Sequence, residues 1–318
     1  MKPPYDITSE IVKYIASISE KIGTVNATYL IKTNPTLRKQ NQIKTIHSSL
    51  KIEGNTLTEE QITAIIENKR VVGSEKDILE VLNALDVYKN ISQLNPKKEK
   101  DFLHAHHLLL KKLIDKPGKY RKQGVGIVKG SKVEHIAPPF DNVPFLMKDL
   151  FEYLKDKSES TLIKSCVFHY EMEFIHPFLD GNGRMGRLWQ TLILMQDYPI
   201  FEFLPFETLI SKNQDDYYLA LAQSDNEGKS TKFIEYMLKI IDHSLAELVE
   251  HSVQKLTPND RIMLFLENNN NTFSRKDYLN YFKDISSATA SRDLKQAVVN
   301  KQIVKEGDKK TTTYKKII

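Results

Sequence analysis

Twelve consecutive residues, His176-Pro-Phe-Leu-Asp180-Gly-Asn182-Gly-Arg184-Met-Gly-Arg187, constrain this chain more than any other part of it. Glycines at 181, 183 and 186 open a tight turn into an apolar run, RMGRLWQTLILMQ, whose spacing predicts a helix beginning near Asn182. Such a turn presents unpaired N–H groups and the positive end of a helix dipole, and its glycines let an anion approach the backbone. Arg184 and Arg187 stand three apart, so they share a helix face and aim at one bound group. Their guanidinium forks suit phosphate oxygens and stay charged at any working pH. Asp180 offers a carboxylate to a hard cation such as Mg²⁺, which takes one or two carboxylates together with phosphates and water. His176, stiffened by the proline after it, is placed to take a proton from an incoming hydroxyl. The stretch reads as a nucleotide-phosphate site.

At these positions the chain resembles the Fic family, whose signature is His-Pro-Phe-x-Asp/Glu-Gly-Asn-Gly/Lys-Arg-x-x-Arg. The resemblance implies transfer of AMP from ATP to a Ser, Thr or Tyr hydroxyl of a protein. His176 would be the general base and Asp180 the Mg²⁺ ligand. Gly181, Asn182, Gly183 and Gly186 would cradle the ATP phosphates, and Arg184 and Arg187 would clamp them. Glycine at 183, where the kinase-like Doc branch carries lysine, points to adenylyl transfer.

A second match lies upstream. Ser49-Leu-Lys-Ile-Glu53-Gly54 fits the family's inhibitory pattern, Ser/Thr-x-x-x-Glu-Gly/Asn. Ser49 and Glu53 are four apart, on one face of a helix expected through LRKQNQIKTIHSSLKIE and ended by Gly54. The resemblance implies that Glu53 occupies Arg187 and keeps the ATP γ-phosphate out of a productive pose. Around the site, the alternation in VGIVKG and VEHIAPPF suggests a β-hairpin, with Ile127, Val128, Lys129 and Gly130 at its first strand and turn. In the family such a hairpin is a flap that pairs with the target's backbone, a recognition by strand addition. Tyr217 and Asn226 resemble the family's adenine-side positions.

The rest of the chain up to about residue 252 is helical by pattern, with Thr58 and Gln61 placed as a capping box. His104, His106 and His107 have offsets that do not converge as an i, i+4 zinc pair does. The single cysteine, Cys166, excludes an intramolecular disulfide and suits a reducing compartment; its place in an apolar helix reads as a buried thiol. The first residues, MKPPYDITSE, have no apolar leader, and no window holds the roughly 18 apolar residues of a membrane span. A cytoplasmic protein is expected.

From Thr257 onward twelve basic residues face seven acidic ones, a surplus of five that equals the whole net charge of +5. RIMLFLE, SRKDYLNYF and SSATASRDLKQAVVNKQ read as three helices, the last two joined near Asp284-Ile285, and alternation around Gly307-Asp308 reads as a hairpin. This segment resembles a winged helix-turn-helix. Thr289, Ser291, Arg292 and Lys295 lie along the exposed face of its recognition helix as candidate DNA contacts, with Asp284 and Asp293 diluting the patch.

The expected architecture is mainly α. Residues 1–98 form a helical region carrying the inhibitory segment, 99–252 a Fic-type helical core with a β-hairpin flap, and 257–318 the winged helix. ATP and Mg²⁺ are the implied cofactors and a hydroxyl-bearing protein the implied partner. Self-AMPylation, a homodimer and DNA are compatible further partners; a membrane is not. Two other readings stay open: a hydrolase removing AMP with the same site, and a DNA-binding regulator with a Fic sensor core.

Overall fold

The structure, a computed structural model, describes residues 2–28, 35–129, 132–252, 257–269, 272–282, 285–308 and 312–317. The chain opens with α1 (Ser9–Thr28), α2 (Pro35–Ile52), α3 (Glu59–Ile66), α4 (Glu75–Lys89) and α5 (Glu99–Leu110). An antiparallel hairpin of β1 (Gly126–Lys129) and β2 (Lys132–Ile136) interrupts the helices, with a register shift between Ile127 and Val128. Six helices follow: α6 (Val143–Tyr153), α7 (Thr161–Ile175), α8 (Asn182–Met195), α9 (Glu207–Lys212), α10 (Gln214–Glu227) and α11 (Thr231–Ser252). The last segment holds α12 (Pro258–Asn268), α13 (Arg275–Tyr281), α14 (Ser287–Val299) and the strands β3 (Ile303–Glu306) and β4 (Thr313–Lys316).

Two compact units result. One comprises Met1–Gly23 and Asn41–Leu248, the other Thr24–Gln40 and Val249–Ile318. In the first, α7 and α8 pack along each other at the centre and are buried almost all round. For α7 that follows from a sequence apolar on most of its faces, whereas α8 also buries Arg184, Arg187 and Gln190, each held by a polar partner. Phe102 of α5 is the hub beside them, with Phe151, Phe168, Phe178 and Trp189 ringed about it at centroid distances of 5.0 to 6.2 Å. Phe178 belongs to the glycine-rich stretch, so burying its ring, a gain of about 1.5–3 kcal/mol, fixes that loop to the core. The capping box of Thr58 and Gln61 starts α3 as expected.

The second unit has its own core of Ile262, Leu264, Phe265, Tyr278, Leu294 and Ile303. Its three C-terminal helices begin at side-chain caps: Thr257 with Asp260, Ser274 with Asp277, and Ser286. Phe273 exchanges two backbone hydrogen bonds with Tyr314, adding a bridge to the β3–β4 hairpin. Three helices followed by a two-stranded hairpin is the winged-helix-like order read from the sequence. One detail differs: Asp293 does not dilute the surface charge, because it is 1% exposed and paired with Arg261. Asp284 lies outside the described residues, as does Gly130 of the flap turn. No helix among the described residues is long and apolar enough to cross a membrane.

Candidate active site

The loop between α7 and α8 begins where His176 caps α7 in a left-handed conformation, φ 50° and ψ 60°, its N–H bonded to Met172 O at 3.0 Å. The His176 imidazole sets Nδ1 at 3.4 Å from Glu173 O, a carbonyl oxygen that can only accept, so the contact belongs to the tautomer protonated on Nδ1. Arg121, buried upstream of the hairpin, holds the loop's backbone. Its Nε donates to His176 O at 2.8 Å, its Nη2 to Pro138 O and Ile175 O, and its N–H to Pro177 O at 2.9 Å. Asn182 closes the loop from the other side, its amide bonding both the N–H and the C=O of Phe178 at 2.9 and 3.0 Å. The Asn182 amide is thereby tied to the loop, and the backbone N–H groups of the first turn of α8, ahead of the bond from Met185 N–H to Gly181 O, lie at the anion-binding end of the helix.

His106 is the second fastener. Gly118 N–H donates to its Nδ1 at 2.8 Å, so Nε2 carries the proton and donates to Asp180 O at 3.0 Å. Its ring stacks on Phe178 at 3.6 Å, and burial takes its pKa down to about 4, so it stays neutral. His104 and His107 point to solvent, and no cluster of three metal-capable side chains occurs among the described residues. Cys166 is buried, and burial pushes its thiol up to about 12.

The three glycines serve different ends. Gly181 sits at φ 85°, a conformation that other residues rarely adopt. Gly183 faces Glu53: a Cβ there would lie 2.3 Å from Glu53 Oε1. Gly186 faces α7, where a Cβ would lie 2.5 Å from His169 Cδ2 and 2.8 Å from Glu173 Oε1, so its smallness serves helix packing and not the approach of an anion. The two arginines also part company. Arg184 is taken by Asp180 at 2.9 Å and Glu80 at 3.1 Å, while Arg187 is taken by Glu53 at 2.7 Å and by Ser49 through its carbonyl and hydroxyl. They share a face of α8 but reach separate carboxylates.

Arg187 is fully buried, and its Nη1 has no hydrogen-bond partner among the described residues. Burial pulls its pKa down, yet Glu53, then Tyr217 and Glu173, outweigh that and raise it overall. Glu173 remains a carboxylate: burial pushes it up, but His169, His176 and Arg187 bring it below its ordinary value. Asp180 is half-exposed at the mouth of the loop, its Oδ1 taking Gly181 N–H and Arg184. One exposed carboxylate beside a helix N-terminus fits a Mg²⁺ ion that draws its other ligands from phosphates and water.

Of the two adenine-side candidates, Tyr217 is withdrawn from solvent while Asn226 stands at the surface. Tyr217 is only 2% exposed and donates or accepts at His169 Nε2 at 3.1 Å, inside an aromatic cluster with Phe233 and Tyr236. Its neighbour Tyr218, 40% exposed, is the ring that faces solvent. Asn226 lies exposed near the end of α10, two residues before the left-handed Gly228. Arg121, His106, Glu80 and Glu173 went unassigned in the sequence because their partners lie in distant segments or, for Glu173, across a helix interface that spacing alone does not define. The β1–β2 backbone hairpin is present at Ile127, Val128 and Lys129.

Residues 95–194 match the model of the Fic/DOC family. Over 246 residues, 73% of this chain and 46% of that protein, the chain is 29% identical to protein adenylyltransferase Fic of Drosophila willistoni. It thus spans about half the length of the curated relatives it matches. Fic-1 from C. elegans shares the fold at 22% identity and a TM-score of 0.63, covering 76% of this chain and 72% of that one. A crystallised Fic family protein from Desulfovibrio desulfuricans G20 aligns over 100% of this chain and 98% of its own, with 40% identity and a TM-score of 0.77. Likeness of that extent, on a chain whose motif segment also matches the family model, means that this protein belongs to the Fic family.

Proposed function

We propose that the chain transfers AMP from ATP to a hydroxyl side chain of a protein and that Glu53 restrains the transfer. The observation that carries the reading is the seat of Glu53: a carboxylate lies on Arg187 at 2.7 Å, against Gly183 at the N-terminus of α8. A negative group of the chain itself occupies the place where dipole and guanidinium favour an anion. Phosphate entering there must displace it.

In this mechanism the target hydroxyl oxygen attacks the α-phosphorus, the bond to the β-phosphate bridging oxygen breaks, and pyrophosphate leaves. His176 Nε2 takes the hydroxyl proton, with Arg121 and Asn182 holding the loop that presents it. Arg184, Arg187 and the first N–H groups of α8 bind the polyphosphate. Asp180 would hold Mg²⁺, which when bound neutralises phosphate charge. The β1–β2 hairpin would pair with an extended target segment and so register its hydroxyl. Residues 99–252 are assigned as the catalytic core and 257–318 as a separate winged helix.

With labelled ATP and the authentic target, His176→Ala should lower transfer by about a hundredfold to ten-thousandfold while nucleotide still binds. Undiminished labelling overturns the assignment of the base. If Glu53→Gly instead loses an AMP-removing activity that the parent shows, the hydrolase reading replaces this one, with Glu53 orienting a water.

We also propose DNA as a partner of the winged helix, because Arg292 and Lys295 are exposed on α14 while Asp293 is withdrawn. Thr289 and Ser291 contribute less: both are half-buried, with hydroxyls already bonded to Ser286 and to Ser287 O.

A further inference from the structure

Arg184 has two counter-charges of different character. Asp180 is half-exposed at the loop mouth, whereas Glu80, from α4, is 6% exposed and meets Arg184 Nη1 at 3.1 Å. If Asp180 turns toward a metal, its hold on Arg184 weakens, and a guanidinium that is 5% exposed cannot remain there uncompensated. Glu80 supplies the charge that stays.

Its other oxygen reaches elsewhere. Glu80 Oε2 accepts from Asn55 Nδ2 at 2.8 Å, and the same amide nitrogen donates to Asp77 O at 3.1 Å. Asn55 Oδ1 in turn accepts Leu57 N–H, and Asn55 N–H returns to Leu50 O in the last turn of α2. Thr56 is gripped by the Asp77 carboxylate through both its N–H and its hydroxyl. The segment so anchored follows directly on Glu53 and on Gly54, which turns the chain at φ 89°. One buried carboxylate therefore touches both the arginine of the anion site and the exit of the helix that delivers Glu53.

We propose that Glu80 is a positioning residue that seats Arg184 so that Asp180 is free for Mg²⁺, and that ties this seating to the delivery of Glu53. The inference rests on the ATP–Mg²⁺ reading above. Without the Glu80 charge, Asp180 is the one carboxylate among the described residues left on Arg184, and the metal must compete with the guanidinium for it. Field strength alone predicts the reverse, since removing an anion near a polyphosphate site favours the nucleotide.

The test uses the full chain carrying Glu53→Gly and His176→Ala, which should bind ATP without consuming it. ATP binding by calorimetry and melting temperature are followed as Mg²⁺ is titrated. Glu80→Gln should raise the Mg²⁺ concentration at half-effect by about tenfold to a hundredfold, the usual range for outer-shell partners of a metal ligand. Glu80→Asp, which keeps the charge but shortens its reach, should fall between the two and remains informative if Glu80→Gln does not fold. In the chain that retains Glu53, Asn55→Ala should raise ATP affinity several-fold by loosening the exit of α2, about 1 kcal/mol at fivefold. An unchanged or lowered Mg²⁺ midpoint in both Glu80 variants overturns the seating role. No gain from Asn55→Ala overturns the coupling. If the parent of the Glu80 series binds no ATP at any Mg²⁺ concentration, the ATP reading fails and Glu80 loses its role with it.

Discussion

Two buried arginines, one in each unit, hold carboxylates in contrasting ways. Arg261 meets Asp293 with two nitrogens at 2.6 and 2.9 Å, and Tyr278 adds its hydroxyl to the same carboxylate. Asp293 is 1% exposed, so the pair is closed to solvent and nearly saturated. Arg187 meets Glu53 with one nitrogen and leaves Nη1 without a partner among the described residues, and the Glu53 side chain is 27% exposed. The first pair acts as a strut, since two guanidinium nitrogens and a tyrosine hydroxyl converge on one buried carboxylate. The second leaves a donor buried and idle beside a carboxylate that solvent already reaches, the arrangement expected of a contact that another anion can replace.

The largest effect separating them should be on stability. Asp293→Ala strips a buried cation of its partner and should cost the tail unit about 3–5 kcal/mol, measured by denaturant unfolding followed at a tail probe. Glu53→Gly should cost less, because Ser49 still bonds Arg187 and Glu173 still faces it. ATP with Mg²⁺ should restore stability to the Glu53 variant and not to the Asp293 variant. Equal losses, or no rescue, would break the distinction between strut and switch.

Next in size is nucleotide affinity. Glu53→Gly should tighten ATP binding about fivefold or more, a coupling of about 1 kcal/mol or above. Arg187→Ala should cancel the gain, since both changes act on one contact and do not add. A full gain in the double variant would place the inhibitory contact elsewhere.

A pH effect sharpens the comparison further. Glu207, fully buried on α9, has a carboxyl that makes no hydrogen bond of normal geometry, and burial pushes its pKa up to about 8 against the opposing pull of Arg187 and Thr45. A carboxyl whose folded pKa is raised stabilises the protein fully below its unfolded pKa, near 4.5, and loses that contribution as pH rises through the folded value. Stability of the first unit should therefore fall between about pH 4.5 and 8, and Glu207→Gln should flatten that slope in thermal melts. A slope unchanged by the substitution would remove Glu207 from the electrostatics around Arg187.

The smallest effect concerns exposed charge. Arg292→Ala and Lys295→Ala should leave the tail's stability within about 0.5 kcal/mol, as surface changes do. If the winged helix binds duplex DNA, each should weaken binding and reduce the log–log salt slope by about one. Absence of binding by the full chain at low salt would strike DNA from its partners.

The residues 176–187 determined much by themselves. Local chemistry sufficed for the helix starting at Asn182, the glycine-governed turn before it and the family relation, because the signals lie within one or two helical turns. The Ser49–Glu53 spacing likewise sets both residues toward Arg187, although α2 ends at Ile52 and Glu53 stands in the turn with Gly54. What each charged group does with its charge is another matter. Arg187 finds Glu53 across 134 residues, Arg184 finds Glu80 across 104, and His106 finds Asp180 across 74. Tyr217 was readable as a polar aromatic, but its burial follows from the packing of α7, α10 and α11 around it. The same holds for Asp293, acidic in sequence and silent at the surface because Arg261 folds onto it. Periodicity fixes which face of a helix turns inward, whereas the partner that neutralises a buried charge is chosen only when distant segments meet in the low-dielectric interior, where an unmatched charge cannot persist.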